Sequence, residues 1–125
     1  MNDEEIMIKE LMEVNRYNIS IPESTEEQRK LLKTLMTVSK PAKLSDQYYK
    51  LEKGFIAKEN AKRVIVPMDR IQEQLTKNIY IFQGDITTIK ADVIVNAANE
   101  KLLGCFIPGH HCIDNAIHMS AGLGL

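Results

Sequence analysis

Hydrophobic positions in the first sixty residues recur at helical spacing. Ile6, Ile8, Leu11, Met12 and Val14 form a rough apolar stripe, as residues three or four apart share one helix face. Ile21-Pro22-Glu23 interrupts this first helix, because proline lacks a backbone N–H and restricts the residue before it. A second helix is better marked. Ser24 with Glu27 fits a capping box, and Leu31, Leu32, Leu35, Met36 and Val38 supply its buried face. Lys40-Pro41 ends it. Ser45 opens a third helix that runs through Lys58, with Tyr48, Leu51 and Phe55 at helical spacing and Gly54 as a weak point. Val64-Ile65-Val66 reads as a short strand closed by Pro67, and residues 70–76 as one or two further helical turns.

After Lys77 the pattern changes. Ile79-Tyr80-Ile81-Phe82 is rich in strand-forming residues and ends at Gln83-Gly84-Asp85. Val93-Ile94-Val95 is a second apolar run, of the kind found in strands buried on both faces. Gly84, Thr87, Thr88 and Lys90 suit the connection between them. A last helix is expected from Ile113 or Asp114 to about Ser120. Strand, loop and helix in that order predict an α/β sheet. The expected organisation is a helical extension over residues 1–76 followed by an α/β unit over 77–125, with no internal repeat and no low-complexity linker.

Composition narrows the function classes. A hydrophobic content of 44% is too high for a disordered tail, and 125 residues suffice for one domain. A formal net charge of -1 argues against a non-specific grip on nucleic acid. Trp is absent and aromatic residues are sparse, which disfavours stacking platforms. The start, Met1-Asn2-Asp3-Glu4-Glu5, is acidic where a secretory signal is basic, and no apolar run approaches the length of a membrane span. The expectation is a cytoplasmic protein with reduced thiols and neither a nucleic-acid nor a membrane partner.

The candidate chemistry is concentrated near the end. Both cysteines and all three histidines fall between Cys105 and His118. Cys105, His110 and Cys112 follow the pattern C-x4-H-x-C, with His111 as a rival ligand. Two thiolates and an imidazole suit Zn(II), and three protein ligands leave a fourth position open, as in catalytic sites. Two cysteines alone are equally readable as an inert reduced pair or as a disulfide closing a tight loop. Asn96-Ala97-Ala98-Asn99 follows the second expected strand, where α/β sheets bind ligands, and the small Ala97 and Ala98 let a ligand approach the backbone. Taken alone, Asn99 reads as a turn residue and Asp85 as a turn or cap residue. Asp114 and His118 are four residues apart and share one helix face. Asp114 also suits the helix cap, and His118 suits a half-buried structural histidine.

Three stretches in order, "GDIT" at 84–87, "DVIVNAANEKLLG" at 92–104 and "IDNAIHMSAG" at 113–122, resemble the opening half of a macrodomain, a three-layer α/β/α fold that binds ADP-ribose. Most macrodomains carry a glycine-rich run where this chain has "GCFIPGHHC". That Cys/His loop resembles the zinc-dependent branch, the bacterial protein-ADP-ribose hydrolases. "QRKLLKTLM" and "LSDQYYKLE" are similar to the extension that precedes the macro module in that branch.

The resemblance implies a hydrolase that removes mono-ADP-ribose from modified proteins with Zn2+ held by Cys105, His110 and Cys112. His110 is preferred over His111 because it matches the family's P-x-H-x-C spacing. Asp114 would orient the distal ribose or a water for attack at the anomeric carbon, and His118 would order Asp114 or line the ribose pocket. Asn99 would bond the distal ribose hydroxyls beside Ala98. Asp85 would accept from the adenine amine, next to the Ile86 backbone. Asn115 stands where many relatives have glycine. Family partners are a sirtuin-like ADP-ribosyltransferase and a lipoylated carrier protein. A non-catalytic ADP-ribose reader and an inactive fragment are the alternatives. The family pattern continues past Gly122 with further strands and a second glycine-rich loop, so a truncated macrodomain ending at Leu125 is the expectation.

Overall fold

The computed structural model describes all residues, 1–125. Three helices come first: α1 (Asp3–Asn15), α2 (Thr25–Val38) and α3 (Asp46–Asn60). Each begins on a polar cap that accepts from the third backbone N–H of its helix. Asn2 Oδ1 takes Glu5 N at 2.8 Å, Ser24 Oγ takes Glu27 N at 3.2 Å, and Ser45 Oγ takes Tyr48 N at 3.0 Å. These bonds satisfy donors that a helix start otherwise leaves unpaired. The acidic first turn of α1, Asp3-Glu4-Glu5, also complements the positive end of the helix dipole.

The three helices bury one apolar cluster. Met7, Ile8 and Leu11 of α1 meet Leu32, Leu35 and Met36 of α2, Leu44 in the connection before α3, and Tyr48 and Phe55 of α3. Ile6 and Met12 are only half-buried and Val14 is exposed, so the α1 stripe is turned slightly from the expected one. Gln28 is also buried. It is held by Asn2 Nδ2 at 2.8 Å, Glu5 Oε1 at 3.0 Å and the Pro22 carbonyl at 2.7 Å, so its amide is paired. Fully burying each large apolar side chain contributes about 1.5–3 kcal/mol. This cluster is therefore the main source of hydrophobic stability in the chain.

Beyond residue 63 the elements are short. β1 (Val66–Pro67) pairs in parallel with β4 (Ile89–Lys90). Between them, β2 (Gln74–Thr76) and β3 (Ile79–Tyr80) form an antiparallel hairpin. Asn78 turns that hairpin with φ 65°, a left-handed conformation that asparagine tolerates. Short 3₁₀ turns span Met68–Arg70 and Ile86–Thr88. The last element is α4 (Ile113–Ala121). The chain is thus mixed α/β, with four helices and two two-stranded sheets.

Several expectations are corrected. Residues 70–76 do not continue as helix; after Arg70 they extend into β2, where Gln74 and Thr76 pair with β3. The first strand lies at Val66–Pro67, two residues later than expected, because its partner Ile89–Lys90 fixes the register. Ile81 and Phe82 fall outside β3. Val93-Ile94-Val95 forms no strand and is not buried: Val93 is 82% and Val95 88% exposed. A strand needs a neighbour for its ladder, and none lies beside this run among residues 1–125.

α4 is docked onto the helical cluster by Met119 and Leu123. Buried Glu52 of α3 accepts Leu123 N at 2.7 Å and is approached by the Tyr48 hydroxyl at 3.4 Å. Burial pushes the Glu52 carboxyl up, against those bonds, which favour the ionised form. Gly122 adopts φ 90°, and a Cβ there would lie 2.8 Å from the Glu52 carboxylate. Only glycine lets the backbone pass this closely in that conformation. No helix is long and apolar enough to cross a membrane.

Candidate metal centre and nucleotide site

The loop from Asn99 to Cys112 is shaped by local polar contacts. Asn99 Nδ2 donates to the Gly104 carbonyl at 2.7 Å, and Asn99 Oδ1 accepts Lys101 N at 3.0 Å. Gly104, at φ 81°, passes the His118 ring, which a Cβ would meet at 3.4 Å. Asn115 Nδ2 donates to the His110 carbonyl at 3.0 Å, and Asn115 N donates to Cys112 Sγ at 3.3 Å. Asn115 therefore ties the loop to the first turn of α4, with Cys112 as the helix cap. This role was not legible in the sequence, where Asn115 appeared only as a substitution for glycine.

The loop gathers a donor set. One ligand atom from each of Cys105, His110 and Cys112 lies within 4.8 Å of the others. His111 is not part of this group. Both thiols are free and half-buried, and His110 is exposed. A tetrahedral zinc ion with Zn–S about 2.3 Å and Zn–N about 2.1 Å spaces such donors roughly 3.6–3.8 Å apart. The observed spacing fits with a small closure of the loop. Burial, and then the neighbouring Cys112 thiol, push the Cys105 thiol up. A bound dication reverses that preference by stabilising both thiolates.

Asp114 is buried two residues into the helix. Its Oδ1 accepts Asn96 Nδ2 at 2.9 Å and faces His118 Nε2 at 3.4 Å. Both contacts fall on Oδ1, which leaves Oδ2 uncommitted. Asn96 was read only as part of the Asn-Ala-Ala-Asn run, and the structure places it against Asp114. Its own Oδ1 is buried without a hydrogen-bond partner. An unpaired buried acceptor costs about 1–3 kcal/mol.

Asp85 lies on a separate turn. Its Oδ1 caps the 3₁₀ turn, accepting Thr87 N at 2.9 Å and Thr87 Oγ1 at 2.6 Å. Its Oδ2 pairs with Arg63 at 2.8 Å. Hydrogen bonding from Thr87 holds the Asp85 carboxyl below its ordinary range; burial opposes this and the Arg63 charge assists it. Ile86 follows within the turn and is half-buried, as is Ala98 in the Asn99 run. An open cavity of about 480 Å³ joins Asp85 to His110, Cys112, Ile113 and Asn115. The structure thus brings Asp85 to one cavity with two of the three clustered donors, His110 and Cys112. Asn99 and Asp114 do not line it.

No family model matches the chain. It is 35% identical over 114 residues to a protein-ADP-ribose hydrolase of Treponema medium, covering 89% of this chain and 44% of that protein. It is 39% identical over 103 residues to a protein-ADP-ribose hydrolase of Staphylococcus aureus (strain COL), covering 82% of this chain and 38% of that protein. A probable bifunctional ADP-ribose hydrolase/ADP-ribosyltransferase of Fusarium oxysporum f. sp. cubense is 56% identical over 45 residues, covering 35% of this chain and 8% of that protein. The chain spans less than half the length of these relatives. Over most of its own length it is similar to proteins named protein-ADP-ribose hydrolase.

Proposed function

We propose that the chain carries the metal loop and adenine side of a zinc-dependent macrodomain hydrolase that removes mono-ADP-ribose from modified proteins. The observation that carries this reading is the convergence of Cys105, His110 and Cys112 on a loop that enters α4 directly. Similarity to named protein-ADP-ribose hydrolases supports the substrate class. In this reading residues 1–76 are the helical extension and 77–125 the opening part of a three-layer α/β/α module.

Bound to the three donors, zinc supplies Lewis acidity and one open coordination position. The chain's own groups do the rest. Asp114 Oδ2 orients the distal ribose or takes a proton from the attacking water. Asn96 and His118 hold the other oxygen of that carboxylate in place. Asn99 spends one amide hydrogen on Gly104 and keeps the second for a ribose hydroxyl. Ala98 lets the ligand approach the backbone. Asp85, beside the Ile86 backbone, accepts from the adenine amine. The working location is the cytoplasm. The partners are ADP-ribosylated proteins and, by resemblance, a sirtuin-like transferase and a lipoylated carrier. The relative named for both hydrolase and transferase activities is in keeping with such a pairing.

The test combines metal analysis with turnover. One zinc per chain is expected, and Cys105→Ser should abolish both zinc retention and release of ADP-ribose from a modified protein. Undiminished release by the metal-stripped Cys105→Ser variant would rule out the zinc-dependent reading.

A further inference from the structure

Arg63 links three elements: the end of α3, α4 and the Asp85 turn. Its side chain is 25% exposed. It donates to Asn60 Oδ1 at 3.2 Å at the end of α3 and to Ser120 Oγ at 3.3 Å on α4. It also donates to Asp85 Oδ2 at 2.8 Å and to Thr87 Oγ1. A guanidinium is a planar fork of five N–H donors that keeps its charge at any physiological pH. Held by Asn60 and Ser120, the fork is fixed before it reaches Asp85.

A carboxylate offers about four acceptor sites. Thr87 occupies two through Oδ1, and Arg63 occupies one on Oδ2. About one site remains, on Oδ2, and its direction is set by where Arg63 sits. Such a carboxylate can receive one incoming N–H and repels an incoming carbonyl oxygen. Without Arg63, Thr87 still holds one oxygen, but the other is free to turn toward water or away from a repelling ligand.

We propose that Arg63 is a positioning residue for the Asp85 carboxylate, through which the helical N-terminal part sets the nucleobase selectivity of the site. This rests on the ADP-ribose reading above. The favoured base class presents an exocyclic amine at Asp85, and the disfavoured class presents a carbonyl at the same place.

The experiment compares two ligands that differ only on that edge of the base, where hypoxanthine has a carbonyl in place of the amine and a proton on N1. ADP-ribose and its hypoxanthine counterpart, inosine diphosphate ribose, are titrated by calorimetry into the zinc-loaded chain, Arg63→Gln and Arg63→Lys. The unsubstituted chain should prefer ADP-ribose by about 10- to 100-fold, the scale of one charged hydrogen bond. In Arg63→Gln the preference should fall to within about threefold, because adenine loses its aligned acceptor and hypoxanthine escapes the repulsion. Arg63→Lys should fall between them, since an ammonium supplies charge without the fork. A purely structural role would weaken both ligands equally and leave the ratio intact, which overturns the proposal. If Arg63→Gln does not melt cooperatively, Arg63→Lys decides alone: an unchanged ratio overturns the proposal and a reduced one supports it. Failure of the unsubstituted chain to bind either ligand overturns the ADP-ribose reading, and the proposal with it. Binding with intact discrimination in both variants overturns only the role of Arg63.

Discussion

In α1–α3, Met7, Ile8, Leu11, Leu32, Leu35 and Tyr48 are buried almost without remainder, whereas Val64, Ile65, Ile79, Ile81, Val93 and Val95 stand open to solvent. The two regions have comparable apolar side chains, so hydrophobicity alone does not separate them. The difference lies in where each backbone finds its hydrogen bonds. A helix closes its bonds within itself and needs only one stripe covered. A strand depends on a neighbour, and here each sheet has two strands of two or three residues. Stability therefore resides in the helices, while the Cys105–Cys112 loop and the Asp85 turn rest on them through Arg63, Glu52 and Met119.

The largest effects should come from the helical cluster. Leu32→Ala is expected to cost about 2–5 kcal/mol in chemical denaturation, whereas Val95→Ala should stay within about 0.5 kcal/mol. Equal costs would break the comparison. Next comes the attachment of α4. Glu52→Ala leaves Leu123 N without its acceptor and should cost about 1–3 kcal/mol. Its signature is faster amide exchange at residues 113–123, with α1 and α2 unaffected.

Acid titration sharpens the comparison further. Glu59 bonds Arg29, Lys33 and Lys62, joining α2 to α3. Burial would raise its carboxyl, but Lys33 and Lys62 outweigh burial and hold it down to about 2. A depressed folded value means that this contribution is complete above the ordinary 4.5 and is lost as pH falls toward 2. Glu59→Gln should remove that part of the acid sensitivity, with an effect of about 1 kcal/mol or less. Glu52 has the opposite sign. Its raised value favours the folded chain most below 4.5, and the gain fades as pH rises through the folded value. The last effect is a gain. A Cβ at Gly54 in α3 meets nothing within 4 Å, so Gly54→Ala should stabilise by about 0.5–1 kcal/mol in thermal melts.

The legibility of the sequence follows the same division. Ser24, Glu27 and the leucines of α2 sit close together in sequence, and the helix they specify is present. The stretch that was read as the last helix is α4, with Cys112 as its cap. Val93–Val95 misled because a buried strand and an open apolar run look alike until a neighbour is known. Residues 70–76 misled because their pairing with β3 outweighs their local preference. At the site, the clustering of Cys105, His110 and Cys112 was readable because these residues are local in sequence. Asn96 against Asp114 and Arg63 against Asp85 were not, since each contact spans at least 18 residues.

We propose a nucleotide site beside the Cys105–Cys112 loop. It is tested most directly by titrating ADP-ribose into the zinc-loaded chain in a calorimeter. Saturable one-to-one binding is expected, and Asp85→Ala should weaken it by about tenfold or more. Absence of heat at millimolar ADP-ribose, with one zinc bound and the helical cluster folded, would contradict it.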